Sequence, residues 1–205
     1  MPFELWLAFT IAATVLLAVP GPTILLVTGF AIRHGSAAAL RTVAGVVAGD
    51  ALAMTLSLLG VGAVLAASAE AFTVLKLLGA GYLIYLGVKQ WRAPSLLPGD
   101  APDTTPTDLS RQAFVVTALN PKSIAFFVAF MPQFVTPTAP VLPQLLIMGT
   151  TFLVLAGVNA ALYALLAGSV RQRIRDARLL TWANRAGGSM LVGAGVLTAL
   201  LRRPA

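Results

Sequence analysis

LWLAFTIAATVLLAVPGPTILLVTGFAI, from Leu5 to Ile32, is a charge-free apolar run broken near its centre by Pro20-Gly21-Pro22. It exceeds the ~20 residues that a helix needs to cross a ~30 Å hydrocarbon core. A cleaved secretory leader would start basic and carry an apolar stretch of only about 7 to 15 residues. This run is longer and follows the acidic Glu4, so it reads as a retained membrane span.

The rest of the chain has the same texture. Of 205 residues, 58% are hydrophobic and 10% charged, against roughly 45 to 50% and about 25% in soluble domains. The expected fold is all-α, a polytopic membrane protein of about six transmembrane helices. Helix 1 takes Leu5 to Ile32, helix 2 Thr42 to Ala67 and helix 3 Ala71 to Val88. Helix 4 covers Gln112 to Val135 and helix 5 Gln144 to Ser169. The uncharged part of helix 6, Ala186 to Leu201, is short and must borrow from the basic stretch before it or sit in thinned bilayer.

Residues 1–92 form a first three-helix repeat and 112–205 a second, joined by a cytoplasmic linker at 93–111 that holds Pro94, Pro98, Pro102 and Pro106. Three helices followed by three helices must point oppositely through the bilayer. The halves match weakly: helix 1 breaks at Pro20-Gly21-Pro22 and helix 4 at Asn120-Pro121, while Gly79 and Gly87 in helix 3 share their spacing with Gly187 and Gly195 in helix 6. An inverted repeat is the expectation.

The net charge of +7 comes from basic residues in loops. A nucleic-acid binder would gather them on one folded face among aromatics, so that class is set aside. Links after helices 1, 3 and 5 hold Arg33 and Arg41; Lys89, Arg92 and Arg111; and Arg171, Arg173, Arg175, Arg178 and Arg185. The opposite side holds Arg202 and Arg203. Basic loops stay in the cytoplasm, which puts both termini outside. The segment Arg171 to Arg185 suits either an interfacial amphipathic helix or simple anchoring. With no cysteine and a lone His34, read as a loop residue, neither a metal site nor a cofactor is expected. A Gly-rich, Lys-containing nucleotide loop is also missing.

The chemistry concentrates at one depth. At ~1.5 Å per helical residue from the nearest basic loop, Pro22, Asp50, Lys122 and Asn159 all lie about 14 to 18 Å deep. A charge there costs at least ~2.5 to 3.5 kcal/mol on insertion scales, so Asp50 and Lys122 should face protein or water. Proline breaks survive in hydrocarbon only where protein or a wet cavity satisfies the freed backbone, and breaks at matched positions of two halves point to a transport site. Asn120-Pro121-Lys122 reads as an N-cap, a first-turn proline and a cation. That cation conflicts with the positive end of the helix dipole unless an anion shares the site.

The expected substrate site therefore comprises Pro20, Gly21, Pro22, Asp50, Asn120, Pro121, Lys122, Asn159 and Tyr163. Amides of the broken helices and Lys122 would take a carboxylate, and Asp50 an ammonium group, which suits a zwitterionic amino acid. Competing structural roles are an Asp50–Lys122 ion pair, interhelical bonding by Asn159 and core packing by Tyr163. Gly45 and Gly49 read as helix contact points.

These motifs resemble the LysE/RhtB family of bacterial amino-acid exporters. The resemblance rests on Pro20-Gly21-Pro22, Gly49-Asp50, Leu75-Lys76 with Gly79, Tyr82 and Gly87, Asn120-Pro121-Lys122, Phe126-Phe127 and Pro132-Gln133-Phe134. It implies efflux of amino acids or derivatives across the inner membrane, driven by the proton gradient; in a secondary exporter alternating access around the midplane, Asp50 is the candidate coupling group. The alternative from another class is an intramembrane enzyme acting on a lipid or isoprenoid head group. Asp50 is the sole deep carboxylate, so such an enzyme would lack its usual paired groups. Small-residue faces suit pairing into a homodimer.

Overall fold

The computed structural model describes residues 1–67, 69–92, 108–136, 138–169 and 177–200, and among them it is helical without strands. The first span divides where the sequence requires it. Helix α1 (Phe3–Ala18) stops before Pro20, and α2 (Pro22–His34) starts with Pro22 in its first turn, the axes bending by 52°. Proline has no N–H to continue the ladder, but its fixed φ suits a helix start. His34, expected in a loop, is the last residue of α2, its ring 6.3 Å from that of Phe30. Gly35 then caps the helix at φ 83, a conformation that favours glycine. A short helix α3 (Ser36–Leu40), unforeseen in the sequence, leads into α4 (Thr42–Ala67) and α5 (Ala69–Trp91).

The second broken span consists of α6 (Leu109–Ala118) and α7 (Pro121–Ala125), continued by a π-turn at Phe126–Phe130 and a 3-10 turn at Met131–Phe134. Helix α8 (Val141–Ser169) begins slightly before its expected start, with Pro143 in the first turn. The buried Gln144 closes the preceding loop, accepting from the Thr136 amide at 2.9 Å and donating to the Thr136 and Pro140 carbonyls. Helix α9 (Ala177–Leu200) does borrow from the basic stretch. Most of the expected linker, Arg171, Arg173 and Arg175, and the terminal arginines lie outside the described residues.

Among the described residues, three helical segments, 36–62, 109–134 and 141–167, are long and apolar enough to cross a bilayer, and the bent α1–α2 pair makes a fourth. Their outward faces are apolar: Leu25, Leu56, Leu59, Leu146 and Val154 are all more than half exposed. Water would penalise such a surface, and lipid does not.

Small residues set the closest approaches. An added Cβ at Gly45 would collide with the Ser110 carbonyl, and one at Gly49 would sit 2.7 Å from the Phe114 oxygen, so α4 lies directly against α6. Helices α5 and α9 meet in the same way: Gly188 opposes the Gly87 carbonyl and Gly195 the Ala80 carbonyl. Gly79, by contrast, packs on Ala129 of the π-turn.

Two apolar clusters divide the interior. One is aromatic, with Phe9, Phe126, Phe127, Phe130 and Phe152 around Met131 and Met148. The other is built from small side chains, with Ala31, Ala39, Ala113, Ala160 and Ala164 around Val27 and Phe30. In α1–α2, α4, the second broken span and α8, the chain passes from one cluster to the other, and the polar residues lie between them.

Gly188→Ala should destabilise the protein by about 1–3 kcal/mol, because its methyl meets backbone 2.5 Å away. Gly193→Ala on the same helix, facing open space, should cost nothing. Thermal unfolding in detergent compares the two directly.

Candidate functional site

Between the clusters lies a small cavity lined by Leu16, Leu17, Gly21, Thr23, Ile24, Val46, Asp50, Asn120, Lys122, Ser123, Ala156 and Asn159. Of the residues expected from sequence, Gly21, Asp50, Asn120, Lys122 and Asn159 line it. Pro20, Pro22, Pro121 and Tyr163 do not; the prolines shape the breaks, and Tyr163 acts on the backbone behind the cavity wall.

The backbone explains why these side chains converge. Ending α1 partway along the span leaves its last carbonyls without helical partners. Four consecutive carbonyls receive donors from the second half of the chain. Lys122 Nζ donates to Leu16 O at 3.0 Å and to Val19 O at 2.7 Å. Asn159 Nδ2 donates to Leu17 O at 3.0 Å and the Tyr163 hydroxyl to Ala18 O at 2.8 Å. Asn159 and Tyr163 sit one turn apart on α8, so a single helix face serves neighbouring carbonyls.

This arrangement resolves the misplaced cation. Lys122 lies in the first turn of α7, but its ammonium reaches across to the negative C-terminal end of α1 and lies within electrostatic reach of Asp50. Gly21 makes the room: a Cβ there would lie 3.2 Å from Nζ.

Opposite charges are thus buried together. Asp50 is 2% exposed and Lys122 7%. The Ser123 hydroxyl donates to the Asp50 carboxylate, whose Oδ1 has no hydrogen-bond partner among the described residues. Asn120 caps α7 by accepting from the Lys122 amide at 3.1 Å, and its Nδ2 donates to Thr23 Oγ1 at 3.2 Å. Thr23 in turn pairs with Thr117 at 3.1 Å, stitching the two breaks together.

Thr23, Thr117 and Ser123 were not singled out in the sequence. Their only signal is position: Thr23 follows Pro22, Ser123 follows Lys122, and Thr117 precedes Asn120 by three residues. The carbonyls of residues 16–19 carry no side-chain signature at all.

The cavity offers about 20 Å³ to the centres of water-sized molecules, room for roughly one water.

Two broken spans of a helical membrane protein meeting at buried opposite charges form the arrangement that marks the binding sites of many secondary transporters. Sequence comparison gives the family. A profile of the LysE type translocator family matches residues 14–202, and the chain belongs to that family. A homoserine/homoserine lactone efflux protein of Salmonella typhimurium is 35% identical over 204 residues, 98% of this chain and 99% of that one. An uncharacterized membrane protein of Vibrio cholerae is 34% identical over 201 residues, 97% and 98% of the two chains. A leucine efflux protein of Salmonella typhimurium is 33% identical over 135 residues, 64% of each. No solved structure matches the chain.

Tyr163→Phe removes the donor to the Ala18 carbonyl and little else. It should lower stability by about 0.5–1.5 kcal/mol, measurable as a fall in thermal midpoint in detergent. An unchanged midpoint would mean that this carbonyl finds another donor.

Proposed function

We propose that this protein is a secondary exporter of amino acids or their derivatives across the bacterial inner membrane. The observation that carries the reading is the burial of Asp50 and Lys122 in one cavity where both broken spans meet. A carrier needs a polar site halfway through the bilayer that is closed to both sides in some states. Opposite charges at that site match a zwitterion without leaving net charge in hydrocarbon. The efflux functions in the names of the relatives agree with this.

Those names also narrow the chemistry. Leucine and homoserine carry both an ammonium and a carboxylate, whereas a homoserine lactone has its carboxyl group tied up as an ester. The feature common to all three is the amino group. We assign Gly21, Asp50, Asn120, Lys122 and Asn159 as contacts within the site, with Pro20, Pro22, Pro121 and Tyr163 shaping and supporting it.

Transport in this reading alternates access around the midplane. The two halves, 1–92 and 112–205, act as inverted repeats with both termini outside and the basic loops in the cytoplasm. The aromatic cluster around Phe9 and Phe126 then closes the outer side, and the alanine-rich cluster closes the inner side. Asp50 is the proton-coupling group, since its Oδ1 is left without a hydrogen-bond donor.

Purified protein in proteoliposomes loaded with unlabelled leucine or homoserine should accumulate the labelled amino acid by counterflow. Asp50→Asn should lose proton-gradient-driven transport in everted vesicles by at least about tenfold at normal expression. Gradient-driven export by that variant at the unmodified rate removes the coupling role, and failure of counterflow with every amino acid removes the carrier reading.

A further inference from the structure

The cavity already holds a primary ammonium, and it belongs to the protein. Lys122 Nζ places two of its three donors on the Leu16 and Val19 carbonyls, at 3.0 and 2.7 Å. A side chain at residue 21 would crowd it, since a Cβ there would lie 3.2 Å from Nζ. Beside it, Asp50 keeps one carboxylate oxygen without a partner among the described residues. Asp50 Oδ1 is thus a buried acceptor left unmet, in a place where unpaired acceptors are costly. An amino compound brings the missing donors on a group with the same charge and geometry as the lysine terminus.

We propose that the Leu16 and Val19 carbonyls are the ammonium subsite of the carrier, and that Lys122 is its resident occupant, displaced toward Asp50 by the ammonium of the incoming substrate. The inference rests on reading this cavity as the amino-compound site. It explains how an empty carrier keeps its broken helix satisfied: the carbonyls pass from lysine to substrate and back without standing bare in hydrocarbon. The displaced lysine meets either Asp50 or the substrate carboxylate, so a carboxylate is useful to binding and not required. A ligand with a free amine and no carboxylate should bind, and one with a carboxylate and a blocked amine should not.

The test uses the full chain in detergent and reads thermal stability. In Lys122→Ala the subsite is vacant, so ethylammonium, a primary ammonium with three donors, should raise the midpoint by several degrees, and the unmodified protein should respond far less. Tetramethylammonium, with no N–H, should stabilise neither. An equal response of the variant to both cations, or no response to either, overturns the proposal. The unmodified protein gives a second measurement should the variant fail to fold: leucinamide should stabilise it as leucine does, and N-acetyl-leucine should not. Stabilisation by N-acetyl-leucine without leucinamide, or by leucine without leucinamide, also overturns it. If neither leucine nor leucinamide shifts the midpoint while ethylammonium still stabilises Lys122→Ala, the amino-acid reading fails and the ammonium subsite stands.

Discussion

Hydrocarbon offers no hydrogen bonds, so a helix that ends inside a membrane must have its last carbonyls met by protein. That constraint organises this molecule. Pro20 ends α1 in mid-span, and the carbonyls of residues 16–19 then draw donors from Lys122, Asn159 and Tyr163, all more than a hundred residues later in the chain. The second break is satisfied more locally, by the Asn120 cap and its bond to Thr23. The second half thus completes a defect in the first, and the polar cavity is the space left between the two breaks.

The packing serves the same end. Gly45 and Gly49 bring α4 against α6 closely enough to hold Asp50 beside Ser123, and the glycines between α5 and α9 lock a second helix pair. The interior on either side of the polar layer differs in kind. Interlocked phenylalanines, such as Phe127 and Phe152 with ring centroids 4.8 Å apart, fill one side, while alanines that leave backbones close together fill the other. A bulky plug and a thin small-residue seam are suited to different motions, the first to side-chain swings and the second to sliding of helices.

Much of this was legible in the sequence because membrane helices announce themselves by length and by the rarity of charge. The start of α4 at Thr42 is legible to the residue, and local chemistry alone gives Pro22 and Asn120 their helix-start positions. Depth counting from the basic loops puts Pro22, Asp50, Lys122 and Asn159 at one depth; the last three line a common cavity, and Pro22 does not. What escaped was the reach of side chains across the bundle. The sequence shows Lys122 at a helix N-terminus and cannot show that its ammonium lies at the C-terminus of another helix. The π-turn at Phe126–Phe130, the helical placement of His34 and the roles of Thr23, Thr117 and Ser123 depend on tertiary neighbours in the same way.

The chain contains no cysteine, so a single engineered thiol reports without background, and Ser123→Cys would place one at the cavity wall. The most direct measurement is its modification by a membrane-impermeant thiol reagent, applied from each side of oriented vesicles with and without substrate. A midplane site with alternating access should be labelled from both sides in turn, with substrate shifting the balance and slowing the reaction. Labelling from neither side in any condition, or from one side only and indifferent to every amino acid, would contradict it.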